Sequence, residues 1–237
     1  MNNNTVQTSL LIEEPNLLIM PDLSSENNII QLKIYKTKLQ YLDGNLLPKT
    51  LITLICEDNE IMNVYNLPKS IKYLNLSFNK IQNIDNLPPN LETFIISNNN
   101  LTNLPNLPNT IKFLAFGYNQ LTKINKLHDN LQELHCYYNL LNELTNIPQK
   151  LKSLQCYGNN LAWLPYIPES VIRFNCHFND FPDLIKIQKT DLCKKQFINY
   201  IYNFRLLFYS LKYKNKFIEW VQKIKKNKQP NYCCKIL

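Results

Sequence analysis

Ile111-Lys112-Phe113-Leu114-Ala115-Phe116-Gly117-Tyr118-Asn119-Gln120-Leu121 decides the fold, because its pattern returns every 20 residues. Counting Ile111 as step zero, apolar residues fall at steps three, five and ten, and an asparagine at step eight. The same register starts at Leu51, Ile71, Leu91, Leu131, Leu151 and Val171. Step three is always Leu or Phe, from Leu54 to Phe174. Step eight is Asn59, Asn79, Asn99, Asn119, Asn139, Asn159 and Asn179, a run too regular for chance. One imperfect repeat precedes these, with Ile29, Leu32, Ile34, Leu39 and Leu42, and with Thr37 in place of the asparagine. Alternating apolar residues at steps three and five specify one short strand per repeat, with intervening side chains on the opposite face. Stacked at a fixed period, such strands build a parallel sheet on the concave side of a curved solenoid. After the strand the chain turns inward and buries backbone polar groups. An asparagine amide, with two donors and an acceptor, can satisfy them.

The other half of each repeat carries Leu47-Pro48, Leu67-Pro68, Leu87-Pro88, Leu107-Pro108, Ile147-Pro148 and Ile167-Pro168, broken only at Leu127-His128. Proline disfavours helix at the residue before it, and a short repeat has little room for one. The convex side is therefore expected to be extended, near polyproline II. This combination resembles the leucine-rich repeats of the short Leu-Pro type found in bacterial secreted effectors. It also resembles the FNIP-type repeats of amoebae and giant viruses, most clearly over Pro108–Asn119. The resemblance covers about residues 29–184. It implies a leucine-rich-repeat solenoid of the α/β horseshoe class and a recognition surface, without naming what is recognised. Some of those effectors add a ubiquitin-ligase domain with a Cys-x-Asp nucleophile. Here the tail is far shorter and Asp191-Leu192-Cys193 has the reverse order, so that activity is not carried over.

A hydrophobic content of 45% with 19% charged residues excludes a wholly disordered chain. Cys56, Cys136, Cys156 and Cys176 all fall at step five, an inward slot where cysteine acts as a small hydrophobe. This usage points to a reducing, cytoplasmic setting. The Asn-rich start followed by Glu13 and Glu14 lacks a basic segment before an apolar core, so no signal peptide is expected. The net charge of +8 is uneven: −2 over residues 1–181 and +10 over residues 182–237.

Steps two, four, six and seven face outward. Early repeats place Thr53, Glu57, Asp58, Ser77, Ser97 and Asn98 there, with Tyr73 and Phe78 as aromatic exceptions. Later repeats place Phe113, Tyr118, His135, Tyr137, Tyr138, Tyr157, Arg173, His177 and Phe178. Tyrosines clustered with an arginine are the residue types of protein-recognition hot spots, so these positions form the candidate surface for a protein partner. Metal and cofactor are not expected. Alternation sends Cys136 and Cys176 inward but His135 and His177 outward, and the two histidines are two strands apart, roughly 10 Å. No nucleophile–base set, phosphate-binding glycine loop or paired carboxylates stand out, so an enzyme is not expected.

The chain divides into an N-terminal segment or cap (1–28), the array (29–184), a basic helical cap and tail (185–228) and a flexible end (229–237). Phe197, Tyr200 or Ile201, Phe204, Phe208 and Leu211 have helical spacing and are expected to cap the last strand. The end Cys234-Lys235-Ile236-Leu237 has the form of a C-a-a-X prenylation box with a terminal leucine. Cys233 beside it and the basic residues Lys223, Lys225, Lys226 and Lys228 supply the second signal that stable anchoring to an anionic cytosolic membrane face needs. The leading expectation is thus a non-enzymatic protein-binding module held at a membrane. The alternative is a soluble adaptor, or an effector-like regulator of host ubiquitin or signalling machinery, whose basic tail binds an acidic protein or nucleic acid. Nucleic acid is the less expected of the two.

Overall fold

The computed structural model describes residues 9–124, 126–181 and 191–209. Strands β1 (Ser9–Ile12), β2 (Gln31–Tyr35), β4 (Thr53–Glu57), β6 (Tyr73–Asn75), β7 (Thr93–Ile95), β8 (Phe113–Ala115), β9 (Glu133–His135), β10 (Ser153–Gln155) and β11 (Arg173–Asn175) form one parallel sheet. On the opposite side β3 (Tyr41–Asp43) pairs in parallel with β5 (Asn63–Tyr65). The register puts Leu114 beside Leu134, Leu134 beside Leu154, and Leu154 beside Phe174. Every step-three and step-five side chain is buried, and together they line one continuous core along the solenoid. The protein is a leucine-rich-repeat solenoid.

Asparagines at step eight join each coil to the one before it. Asn119 Nδ2 donates to the carbonyls of Ile96 (3.0 Å) and Phe116 (3.1 Å), while its Oδ1 accepts from the Leu101 amide at 2.9 Å. The same three links recur from Asn79 to Asn179. Thr37 ends the ladder by donating both its amide and its hydroxyl to Asn59 Oδ1, at 2.9 and 2.7 Å.

The prolines act through their carbonyls. Those of Pro48, Pro68, Pro88, Pro108, Pro148 and Pro168 each accept from the amide three residues on, at 3.0–3.3 Å, in the turn that returns the chain to the sheet. His128 makes the same turn with Leu131. It adds a bond between its Nε2 and the Leu107 carbonyl at 2.8 Å, which ties it to the preceding coil where proline is missing. Leu47, just before Pro48, is extended at φ −99° and ψ 150°.

Two features go beyond the sequence pattern. Strand β1 adds a coil upstream of Ile29, pairing Leu10 with Leu32 and Ile12 with Ile34. The register places Pro15 at its asparagine step, so the motif that marks the other coils is missing. The helix α1 (Asp191–Tyr209) packs against the last coil, as a cap requires, and polar side chains share its seated face. Lys194, Lys195, Ile198 and Asn199 are buried, Phe197 packs against the core and Ile201 is half-buried, whereas Tyr200 is exposed. Asn199 exchanges two hydrogen bonds with the backbone of Ile167, at 2.7 and 2.8 Å, and Lys195 Nζ donates to the Val171 carbonyl at 3.0 Å. Among the described residues no further strand pairs with β11, so the cap supplies side-chain donors and acceptors there. Leu211, the last residue of the expected cap spacing, lies outside the described residues, as do Phe217, Val221 and Ile224, which repeat that spacing in the sequence.

Replacing Asn119 with alanine would leave the Leu101 amide unpaired and remove a donor from two buried carbonyls. A loss of about 2–4 kcal/mol in denaturant unfolding is expected. The exposed Asn160→Ala, one residue beyond the ladder, should change stability by less than about 0.5 kcal/mol.

Candidate partner-binding face

As each coil leaves the sheet, the residue at step seven takes a left-handed backbone. Positive φ occurs at Lys36, Asp58, Phe78, Asn98, Tyr118, Tyr138 and Phe178, between 47° and 58°, and at Gly158, at 66°. Two bonds tie this turn to the next coil: Tyr118 N to Tyr137 O at 3.0 Å, and Asn119 N to Tyr138 O at 3.3 Å. The coil-to-coil pairing therefore imposes the conformation. Aspartate, asparagine and glycine tolerate it, whereas a bulky side chain costs on the order of 1 kcal/mol. Four coils nevertheless place an aromatic ring there. Phe78, Tyr118, Tyr138 and Phe178 are 51%, 48%, 40% and 78% exposed, so much of each ring, and most of Phe178, stays in water.

Behind this rim the tyrosines form a herringbone. Tyr118 stacks on Tyr138 with centroids 4.6 Å apart, and Tyr137 on Tyr157 at 4.9 Å. The two stacks meet edge to face, Tyr118–Tyr137 at 5.6 Å and Tyr138–Tyr157 at 5.3 Å. Two of the chain's three glycines clear the space. A Cβ on Gly117 would overlap the Tyr137 ring, and one on Gly158 the Tyr138 ring. Burial, followed by the neighbouring phenols, pushes the Tyr157 hydroxyl above its ordinary pKa, so it stays protonated. Such rings are held before any partner arrives, which lowers the entropy lost on binding.

The strand positions complete the face. Phe113 and His135 meet edge to face at 5.0 Å. Arg173 reaches across β10 to Glu133 at 2.7 Å, over the buried Ser153. Burial foremost, and then Arg173, lower the His135 pKa against the opposing pull of Glu133, so the ring is neutral near pH 7. Tyr73 lies on an earlier coil, half-buried, with its hydroxyl pushed up by burial and by Glu57. On the last coil the His177 ring lies 2.9 Å from Lys194 Nζ of the cap and 6.4 Å from the Phe178 ring.

Ser77 and Ser97 are buried, although step six was expected to face outward. A small residue at this step lies beneath its neighbours, and only longer side chains, Glu57, Tyr137, Tyr157 and His177, emerge. The pattern of outward steps also gave no signal for Gly117, Gly158 or Glu133. The glycines could have been suspected from their rarity and their place beside tyrosines. Glu133 could have been suspected from an opposite charge at the same step two coils away. Cys56, Cys136, Cys156 and Cys176 are buried; burial pushes the Cys136 thiol up to about 12 and raises that of Cys56 as well. Among the described residues no three His, Cys, Asp or Glu side chains gather as metal ligands, and no helix is long and apolar enough to cross a membrane.

No protein-family model matches this chain, and no curated protein does. Solved structures do. YopM from Yersinia enterocolitica is 25% identical over 70% of this chain and 45% of its own, with a TM-score of 0.52. A Shigella effector leucine-rich-repeat domain is 26% identical over 68% and 74%, with a TM-score of 0.59. The functional domain of InlJ from Listeria monocytogenes, which includes a cysteine ladder, is 22% identical over 80% and 42%, with a TM-score of 0.66. The chain thus spans less than half the length of the YopM and InlJ chains.

His135 should titrate below the ordinary histidine value of about 6.5 in a proton NMR series. With the folded pKa depressed, the unfolded chain binds more protons. Its stability contribution is therefore present above about pH 6.5 and lost as the pH falls below it. The Glu133→Gln variant, which removes the one interaction that raises the value, should titrate lower still.

Proposed function

We propose that this leucine-rich-repeat solenoid is a non-enzymatic protein-interaction module that holds its partner against the aromatic sheet face. One observation carries this conclusion. Four bulky rings occupy left-handed backbone positions that other coils fill with Lys36, Asp58, Asn98 and Gly158. Stacking offsets part of the cost at Tyr118 and Tyr138, whereas Phe78 and Phe178 lie outside the tyrosine stacks and stay 51% and 78% exposed. A bound partner accounts for rings left so open. The effector repeat domains of similar fold support a protein as that partner. Aromatic rings presented rigidly on an open face are also the groups that dominate protein interfaces. The partner surface comprises Phe113, Tyr118, His135, Tyr137, Tyr138, Tyr157 and Phe178, flanked by Tyr73, Phe78, Arg173 and His177.

The site of action follows from the tail. Where Leu237 is the carboxyl terminus, Cys234 is the prenylation acceptor, with Cys233 available for acylation. Lys223, Lys225, Lys226 and Lys228 would add about 1 kcal/mol each at an anionic leaflet. All lie outside the described residues. On this proposal the module works at the cytosolic face of a membrane. In the soluble, effector-like alternative the same sheet face acts without the anchor.

The two parts are tested separately. Protein from eukaryotic cells should show a geranylgeranyl-sized mass gain with loss of Lys235–Leu237, absent from Cys234→Ser. An unmodified end removes the anchor and leaves the soluble module. Tyr137→Ala with Tyr157→Ala should lower partner retention about tenfold or more, and unchanged retention would exclude this face as the binding surface.

A further inference from the structure

Three properties of the aromatic face point to one class of partner, which rests on the protein-binding function proposed above. The first is charge. Around the tyrosines, the ionisable groups are engaged within the protein: Arg173 with Glu133 at 2.7 Å, and Lys194 with the His177 ring at 2.9 Å. His135, held neutral, adds no charge. The exposed Asp58 and Asp180 flank the two ends of the face, outside the tyrosine cluster; over the tyrosines themselves nothing selects a charged segment, and the complement there is an uncharged one.

The second is hydrogen bonding. None of the phenolic hydroxyls of Tyr118, Tyr137, Tyr138 and Tyr157 bonds to another described residue, so up to four donors stand ready. Their complement is a chain with carbonyls free to accept. A polyproline II segment, which has no internal hydrogen bonds, keeps its carbonyls free.

The third is spacing. Adjacent coils lie roughly 4.8 Å apart, so two coils span about 9.6 Å. Phe78 and Tyr118 are two coils apart, and so are Tyr138 and Phe178, so the row holds two pairs of this spacing, offset from each other by the single coil between Tyr118 and Tyr138. A polyproline II turn of three residues advances about 9.3 Å and stays in step with two coils. A strand repeats every ~6.8 Å and a helix every ~5.4 Å, and neither matches one coil or two.

We propose that the row Phe78, Tyr118, Tyr138 and Phe178, with Tyr137 and Tyr157 beside it, receives an uncharged, proline-rich segment running along the solenoid axis in the polyproline II conformation. Three residues of the segment lie over every two coils. From Phe78 to Phe178 the row spans five coil intervals, roughly 24 Å, enough for about eight residues of such a segment. Its rings pack against the aromatic edges while its carbonyls accept from the phenols, the aromatic-groove mode of proline-rich recognition.

A random peptide library panned on the full chain, with the double variant Tyr118→Asn, Tyr138→Asn as comparison, tests this. Asn98 occupies the same step, so the backbone accepts asparagine there. Peptides recovered by the parent and lost about tenfold or more on the variant should carry proline at three-residue spacing and no net charge. A synthetic nonapeptide of three Ala-Pro-Pro repeats should shift the parent's tyrosine NMR signals equally at low and high salt. If variant-sensitive peptides lack proline or cluster charge, the proline-rich segment is wrong and the protein-binding face stands. If no peptide distinguishes parent from variant, both are overturned. Circular dichroism melting checks the variant's fold. Should it be lost, Tyr118→Phe with Tyr138→Phe, which removes only hydroxyls, takes its place. Recovery unchanged on that variant would overturn the phenol–carbonyl contacts on which the proposal depends.

Discussion

The asparagine ladder is the interaction on which the rest of the structure depends. Each coil turns off its strand by burying amides and carbonyls that no regular element can pair. One side chain per coil, as at Asn119, joins both its own turn and the preceding coil to the core. A solenoid has few long-range contacts outside neighbouring coils, so this link sets how firmly one coil registers on the next. The same inward turn forces the residue before each asparagine into a left-handed conformation. The scaffold thereby creates a row of identical strained positions along one edge of its sheet.

How that row is filled separates structure from function. Asp58, Asn98 and Gly158 follow local preference, and Phe78, Tyr118, Tyr138 and Phe178 go against it. Local rules are broken most often where a function requires it. Here two of the exceptions, Tyr118 and Tyr138, belong to a stacked tyrosine cluster for which two glycines clear space. Rigid coils hold these rings at fixed spacing, so the face is preorganised by the ladder beneath it.

The array itself was legible in the sequence because its determinant is periodic. Strand, ladder and core follow from steps three, five and eight of one motif. Elements that depend on a single coil were not legible. Strand β1 carries Leu10 and Ile12 but has Pro15 at the ladder step, and without the asparagine its coil does not announce itself. The cap helix was visible from Phe197, which packs against the core, yet it also seats through Lys195, Ile198 and Asn199. Apolar spacing cannot show that a solenoid end needs polar partners for its backbone. The aromatic residues of the candidate face were legible one by one. Their stacking, the clearance at Gly117 and Gly158, and the Glu133–Arg173 bridge over Ser153 depend on which residues meet across coils.

The central claim is that the aromatic rim carries a stability cost for the sake of a partner. Denaturant unfolding of the full chain beside two single exchanges at step seven, Phe178→Asn and Asn98→Phe, tests it most directly. Relief of left-handed strain in the first and its introduction in the second predict a gain and a loss of about 0.5–1 kcal/mol respectively. A loss of about 1 kcal/mol or more in Phe178→Asn, with Asn98→Phe unchanged or stabilised, would make the aromatic rim a structural feature and contradict the account.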